Sequence, residues 1–88
     1  MTEEEIIQRV KESFPDAIVD SAGADCNFQL YVISKTFEGQ SLLQRQRSVL
    51  ALFAPELKDG RLHALSVTAK TPQDEQAVPH LVQVKINT

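Results

Sequence analysis

The chain has 88 residues, 42% of them hydrophobic, enough for one modest core and too few for two domains. Met1 is followed by Thr-Glu-Glu-Glu, and the apolar runs are only a few residues long, so neither a signal peptide nor a membrane span is expected and a soluble, cytoplasmic protein is. One cysteine excludes an internal disulfide, and a net charge of −3 is far from the strong basicity usual for nucleic-acid-binding domains.

The net charge hides an asymmetry. Residues 1–25 carry seven acids and two bases, whereas residues 35–70 carry six bases and three acids. The later segment could form a mildly basic face, but it is far weaker than that of strongly basic nucleic-acid-binding domains, and a solvated surface is the favoured reading.

Thr2 and Glu5 have capping-box spacing, and Ile6, Ile7, Val10 and Phe14 recur at helical intervals, which predicts a first helix over about 3–13 stopped by Pro15. "DAIVDSAGADCNFQLYVIS" holds two β-rich stretches around a turn-rich "SAGAD". It predicts a hairpin with strands near 16–21 and 27–34, the second alternating Phe28, Leu30 and Val32 against Asn27, Gln29 and Tyr31. A turn at Gly39, with Gln40 or Ser41 as cap, opens a second helix expected over 41–53 with Leu42, Leu43, Val49, Leu50 and Phe53 on one arc, and "PELKD" is expected to form a short third helix before Gly60. A third strand is expected over 61–69, followed by a helical turn at "QDEQ". The tail "HLVQVKINT" alternates weakly, as a short extra strand or a disordered end would.

The order is α-β-β-α-α-β, an α+β domain with a three-stranded mixed sheet and helices packed on one face. A long helical crossover between the second and third strands makes them parallel neighbours. The starts of both then fall at one edge, which brings Cys26, just before the second strand, close to His63, expected just inside the third.

Taken alone, His63 shares a strand face with Leu65, Val67 and Ala69 and reads as a half-buried histidine satisfied by backbone or water. Cys26 can be a small apolar filler, a reactive thiol or a metal ligand. Arg45 and Arg47 flank the apolar arc of the second helix, where they can snorkel over the core edge or contact an anion. No Ser-His-Asp grouping, HExxH, CxxC, Walker or GxGxxG spacing occurs, so no catalysis is expected.

"SKTFEGQSLLQRQRSVLALF" followed by "GRLHALSVTAKTP" resembles the BolA family, whose pattern has a Phe-x-Gly turn, an Arg-x-Arg helix and an Arg-Leu-His-Ala-Leu-Ser strand ending in Thr-Pro. The similarity covers about residues 4–75, which makes 1–75 a BolA-like domain and 76–88 a C-terminal tail. The resemblance implies a class II KH-like fold, without the Gly-x-x-Gly loop by which KH modules clamp nucleic acid. It also implies a partner, a monothiol glutaredoxin, with which a glutathione-containing [2Fe-2S] cluster is shared. On this sequence the implied ligands are His63 and Cys26; apart from the resemblance, His80 after Pro79 in the tail is expected to be solvent-exposed and idle, a minor third-ligand candidate should the tail reach the edge. No cofactor is expected for the isolated chain, which should be a monomer or weak homodimer. The competing expectation is a transcriptional regulator that binds DNA through Lys35, Arg45, Arg47, Arg61 and Lys70.

Overall fold

The computed structural model describes residues 2–24 and 27–77. Helix α1 spans Glu3–Ser13, and its capping box is complete: the Thr2 hydroxyl accepts from the Glu5 N–H at 3.2 Å, and the Glu5 carboxylate accepts from the Thr2 N–H at 2.9 Å. Three acids in the first turn match the helix dipole. Ile6 and Val10 are fully buried, and Phe14, the C-cap, places its ring 5.2 Å from that of Phe37.

Strands β1 (Ile18–Ala24) and β2 (Asn27–Ile33) pair antiparallel, from Ile18 opposite Ile33 to Ala24 opposite Asn27. Strand β3 (Ala64–Lys70) pairs parallel to β2, from Asn27 opposite Ala64 to Ile33 opposite Lys70, which gives the order β1-β2-β3. Phe28, Leu30, Val32, Val67 and Ala69 face the helices, while Asn27, Gln29, Ala64, Ser66 and Thr68 face solvent.

The crossover passes through a 3-10 turn (Lys35–Phe37), helix α2 (Leu42–Leu50), a second 3-10 turn (Ala51–Phe53) and helix α3 (Ala54–Asp59). Phe37, Val49 and Phe53 fill the core beneath the sheet. Asp16 fastens the start of the crossover, accepting from the Ser34 hydroxyl at 2.7 Å and the Lys35 N–H at 2.9 Å; these bonds, the Ser34 one first, lower its pKa. After β3, helix α4 (Pro72–Ala77) is capped by Thr71, whose hydroxyl accepts from the Asp74 N–H.

The α+β architecture and element order agree with the sequence analysis, but three boundaries move. Strand β1 runs over 18–24 rather than 16–21, because Asp16 is engaged as a cap and Gly23 lies within the ladder instead of in the turn. Strand β3 begins at Ala64 rather than at 61. Gly60, left-handed at φ 88°, reverses the chain, and the Leu62 N–H donates to the Glu56 carbonyl, so 61–63 form a loop. Helix α2 ends at Leu50, and Leu42 and Leu43 are 69% and 54% exposed, because the first turn of α2 extends beyond the core that Val49 and Phe53 enter. The strand or disorder expected in the tail falls at 78–88, outside the described residues.

Gly23 has φ 127°, and a Cβ there would sit 2.3 Å from the Asn27 carbonyl oxygen. Gly23→Ala is therefore expected to cost about 1–3 kcal/mol of folding free energy, read as a lower urea midpoint.

Candidate functional site

The geometry of interest lies where β2 and β3 begin. Asn27 and Ala64 are register partners, and neighbouring strands lie about 4.8 Å apart. His63 immediately precedes Ala64 and Cys26 immediately precedes Asn27; Cys26 itself is outside the described residues. The parallel pairing inferred from the crossover is thus present, and it aligns the chain positions that follow the two candidate ligands.

His63 departs from its expected setting. It precedes β3 rather than lying inside it, and it is exposed rather than half-buried. Leu62, its neighbour, is buried in its place. Among the described residues, His63 makes no hydrogen bond or ion pair, and no group of three or more His, Cys, Asp or Glu is placed to hold a metal ion. Beside it on the open face of the sheet lies a shallow depression of about 340 Å³, lined by Asn27, Phe28 and Gln29 as well as by the small residues Ala22, Gly23, Ala64 and Ser66.

The loop that carries His63 is tied down from below. Glu56, buried on α3, receives Arg9 of α1 at 2.6 Å, and Arg61 lies 3.8 Å from its other oxygen. Arg9 also donates to the Leu52 carbonyl at 3.2 Å and sits over the Phe53 ring, 5.3 Å from its centroid. The Arg9 hydrogen bond chiefly holds the Glu56 carboxyl below its ordinary pKa. Asp59 grips Arg61 twice, through the backbone N–H at 3.0 Å and Nε at 2.9 Å. Sequence reasoning passed over Glu56, although Phe53, Glu56 and Leu57 follow i, i+3, i+4 spacing, which puts a carboxylate on the apolar arc and signals a buried partner.

The five candidate basic residues are dispersed. Lys35 and Lys70 lie at the far end of the sheet from Arg61, about 20 Å along the strands. Lys70 pairs with Glu75 at 3.3 Å. Arg45, expected to hold its head in water, is only 12% exposed: it donates to the carbonyls of Gln40 and Ala69 and pairs with Asp74 at 3.1 Å. Arg47 is exposed. Gln46, on an exposed turn of α2, donates to the Val67 carbonyl at 3.3 Å, and α2 and β3 border a groove of about 470 Å³ in which Arg45 and Gln46 already bond to β3 carbonyls.

Two consequences can be measured. Arg45→Ala should lower stability by about 1–3 kcal/mol, because it removes the bonds to the Gln40 and Ala69 carbonyls and the ion pair with Asp74, whereas Arg47→Ala should stay within about 0.5 kcal/mol; chemical unfolding distinguishes them. Because Glu56 is lowered from an ordinary value of 4.5, its contribution to stability is complete above that pH and is lost as pH falls through the folded-state pKa. The urea midpoint of the wild type should therefore exceed that of Glu56→Gln above pH 4.5 and converge with it on acidification.

Comparison with known proteins gives this geometry a family. BolA-like protein 1 of Mus musculus is 39% identical over 77 residues, 88% of this chain and 54% of its own. SufE-like protein 1, chloroplastic/mitochondrial, of Arabidopsis thaliana is 47% identical over 60 residues, 66% of this chain and 16% of its own. The chain thus spans about half or less of these relatives. The solution structure of mouse BolA1 superposes with a TM-score of 0.75 at 31% identity, covering 91% of this chain and 72% of that one. The family model for BolA-like proteins matches residues 5–74, from the first turn of α1 into α4, and the chain belongs to the BolA family.

Proposed function

We propose that the chain is a non-enzymatic adaptor that binds a monothiol glutaredoxin and shares with it a glutathione-containing [2Fe-2S] cluster, in iron–sulfur trafficking or iron and redox regulation. His63 and Cys26 are its ligands in this reading. The observation that carries it is the pairing of Asn27 with Ala64, since the residues directly after the thiol and the imidazole are partners across adjacent strands.

The donor set fits a shared cluster rather than a resident one. A [2Fe-2S] centre takes four ligands, and one thiolate with one imidazole supplies half of them. The missing half must come from thiolates outside the chain, which a glutaredoxin cysteine and glutathione provide. When bound, a cluster with an imidazole on one iron has a higher reduction potential than an all-thiolate one. The chain contributes an imidazole already in solvent, beside an open depression on the exposed face of the sheet. Among the described residues no helix is long and apolar enough to cross a membrane, and a thiol ligand suits a reducing compartment such as the cytoplasm.

The DNA-binding alternative has less support, because its five basic residues share no single face and three of them have acidic partners. The two readings separate on salt. Phosphate contacts predict affinity that falls steeply between about 50 and 200 mM salt, whereas a cluster-bridged complex should hold.

The deciding measurement mixes the purified chain with a cluster-loaded monothiol glutaredoxin and glutathione and follows visible absorption and circular dichroism. The wild type should change the cluster spectrum, His63→Ala should abolish that change and Cys26→Ala should alter it. Indistinguishable spectra from all three would remove the adaptor reading.

A further inference from the structure

We propose that Glu56 is the positioning residue of this site: its buried carboxylate ties the 60–62 loop, and with it His63, to helix α1. The inference rests on the reading of His63 as a cluster ligand.

The argument begins with what His63 lacks. Among the described residues nothing hydrogen-bonds its ring, and it stands outside the ladder that begins at Ala64. The place of the imidazole is therefore inherited from its backbone. That backbone passes from the end of α3 at Asp59 to Ala64, and three restraints hold it. The Leu62 N–H donates to the Glu56 carbonyl at 3.0 Å, the Leu62 side chain is buried, and Arg61 lies between the carboxylates of Glu56 and Asp59. Two of the three run through Glu56, one through its backbone carbonyl and one, to Arg61 at 3.8 Å, through its carboxylate, and only the second depends on the side chain.

Glu56 is itself held by a rigid partner. Arg9 is fixed by the Leu52 carbonyl and by the Phe53 ring as well as by the carboxylate, so its guanidinium cannot follow Glu56 if the loop swings. The chain of restraint runs from α1 through Arg9 and Glu56 to Arg61 and Leu62, and it ends one residue before the imidazole. A ligand fixed in this way before the cluster arrives need not be ordered by coordination, which strengthens binding without adding a contact to the metal. Replacing the carboxylate by an amide keeps the volume but removes the charge that draws both arginines.

The test uses the whole chain with Glu56→Gln, Arg9→Met and His63→Ala. Nitrogen-15 relaxation of the isolated protein should show core amides unchanged in the first two variants and amides 61–64 with increased motion. With cluster-loaded glutaredoxin and glutathione, the same two variants should lose the cluster to a chelator about tenfold faster than wild type. Should Glu56→Gln fail to fold, Arg9→Met decides, since methionine still covers Phe53 while the ion pair is lost. Amides 61–64 as ordered as in wild type in the folded variants, or increased motion with no faster loss of cluster, would overturn the proposal. His63→Ala tests the ligand reading separately: if it leaves the cluster spectrum unchanged that reading fails, and the relaxation data still decide whether Glu56 orders the loop.

Discussion

The parallel pairing of β2 with β3 is the constraint on which the rest of the molecule depends. Two parallel strands cannot be joined by a tight turn, so the chain between Ile33 and Ala64 must return along the length of the sheet, and the helices of that crossover become the roof of the core. Val49 and Phe53 are fully buried because they lie where the returning helices meet the apolar face of Phe28, Leu30 and Val32. The same pairing sets both strand starts at one end. Had β3 run antiparallel to β2, its first residue would lie opposite Ile33, about 20 Å from the segment that carries Cys26.

A buried carboxylate at the return point is a costly choice, and its cost suggests what it does. Desolvating Glu56 is offset by Arg9 at 2.6 Å, but well-packed apolar residues commonly match or exceed such pairs in stability. An apolar residue would fill the space and leave the direction of the following loop unspecified. The ion pair is directional, and it sits where the chain changes course after Gly60, with the backbone of Leu62 bonded to the same residue. Asp16 does comparable work at the other end of the crossover, where one carboxylate holds Ser34 and Lys35 as the chain leaves β2. Each turn of the crossover thus has a carboxylate engaged at it, Asp16 at one end and Glu56, with Asp59, at the other.

Much of this was legible in the sequence because it is periodic. The capping box of Thr2 and Glu5, the alternation of Phe28, Leu30 and Val32, and the length of the crossover yield the element order, the hairpin and the parallel pair. What was not legible depends on contacts far apart in the chain. Arg45 reads as a snorkelling surface residue until α4 brings Asp74 to it, and Glu56 reads as a solvated acid until α1 brings Arg9. Leu42 and Leu43 fall on the apolar arc of the helical wheel, but a wheel carries no information about where along its length a helix leaves the sheet.

The placement of His63 shows how a strand pattern can be read one step further. Side chains alternate along a strand, so Leu65, Val67 and Ala69 share the core face, and an extended chain would send His63 inward and Leu62 outward. Burying Leu62 with them, an odd number of residues away, is incompatible with one unbroken strand. The chain must leave the extended conformation between Leu62 and Leu65, and Gly60 together with the Glu56 carbonyl lets it do so. Once Leu62 turns in, His63 is carried out. The hydrophobic demand of a leucine and the parity of a strand together turn the imidazole toward solvent at the sheet edge.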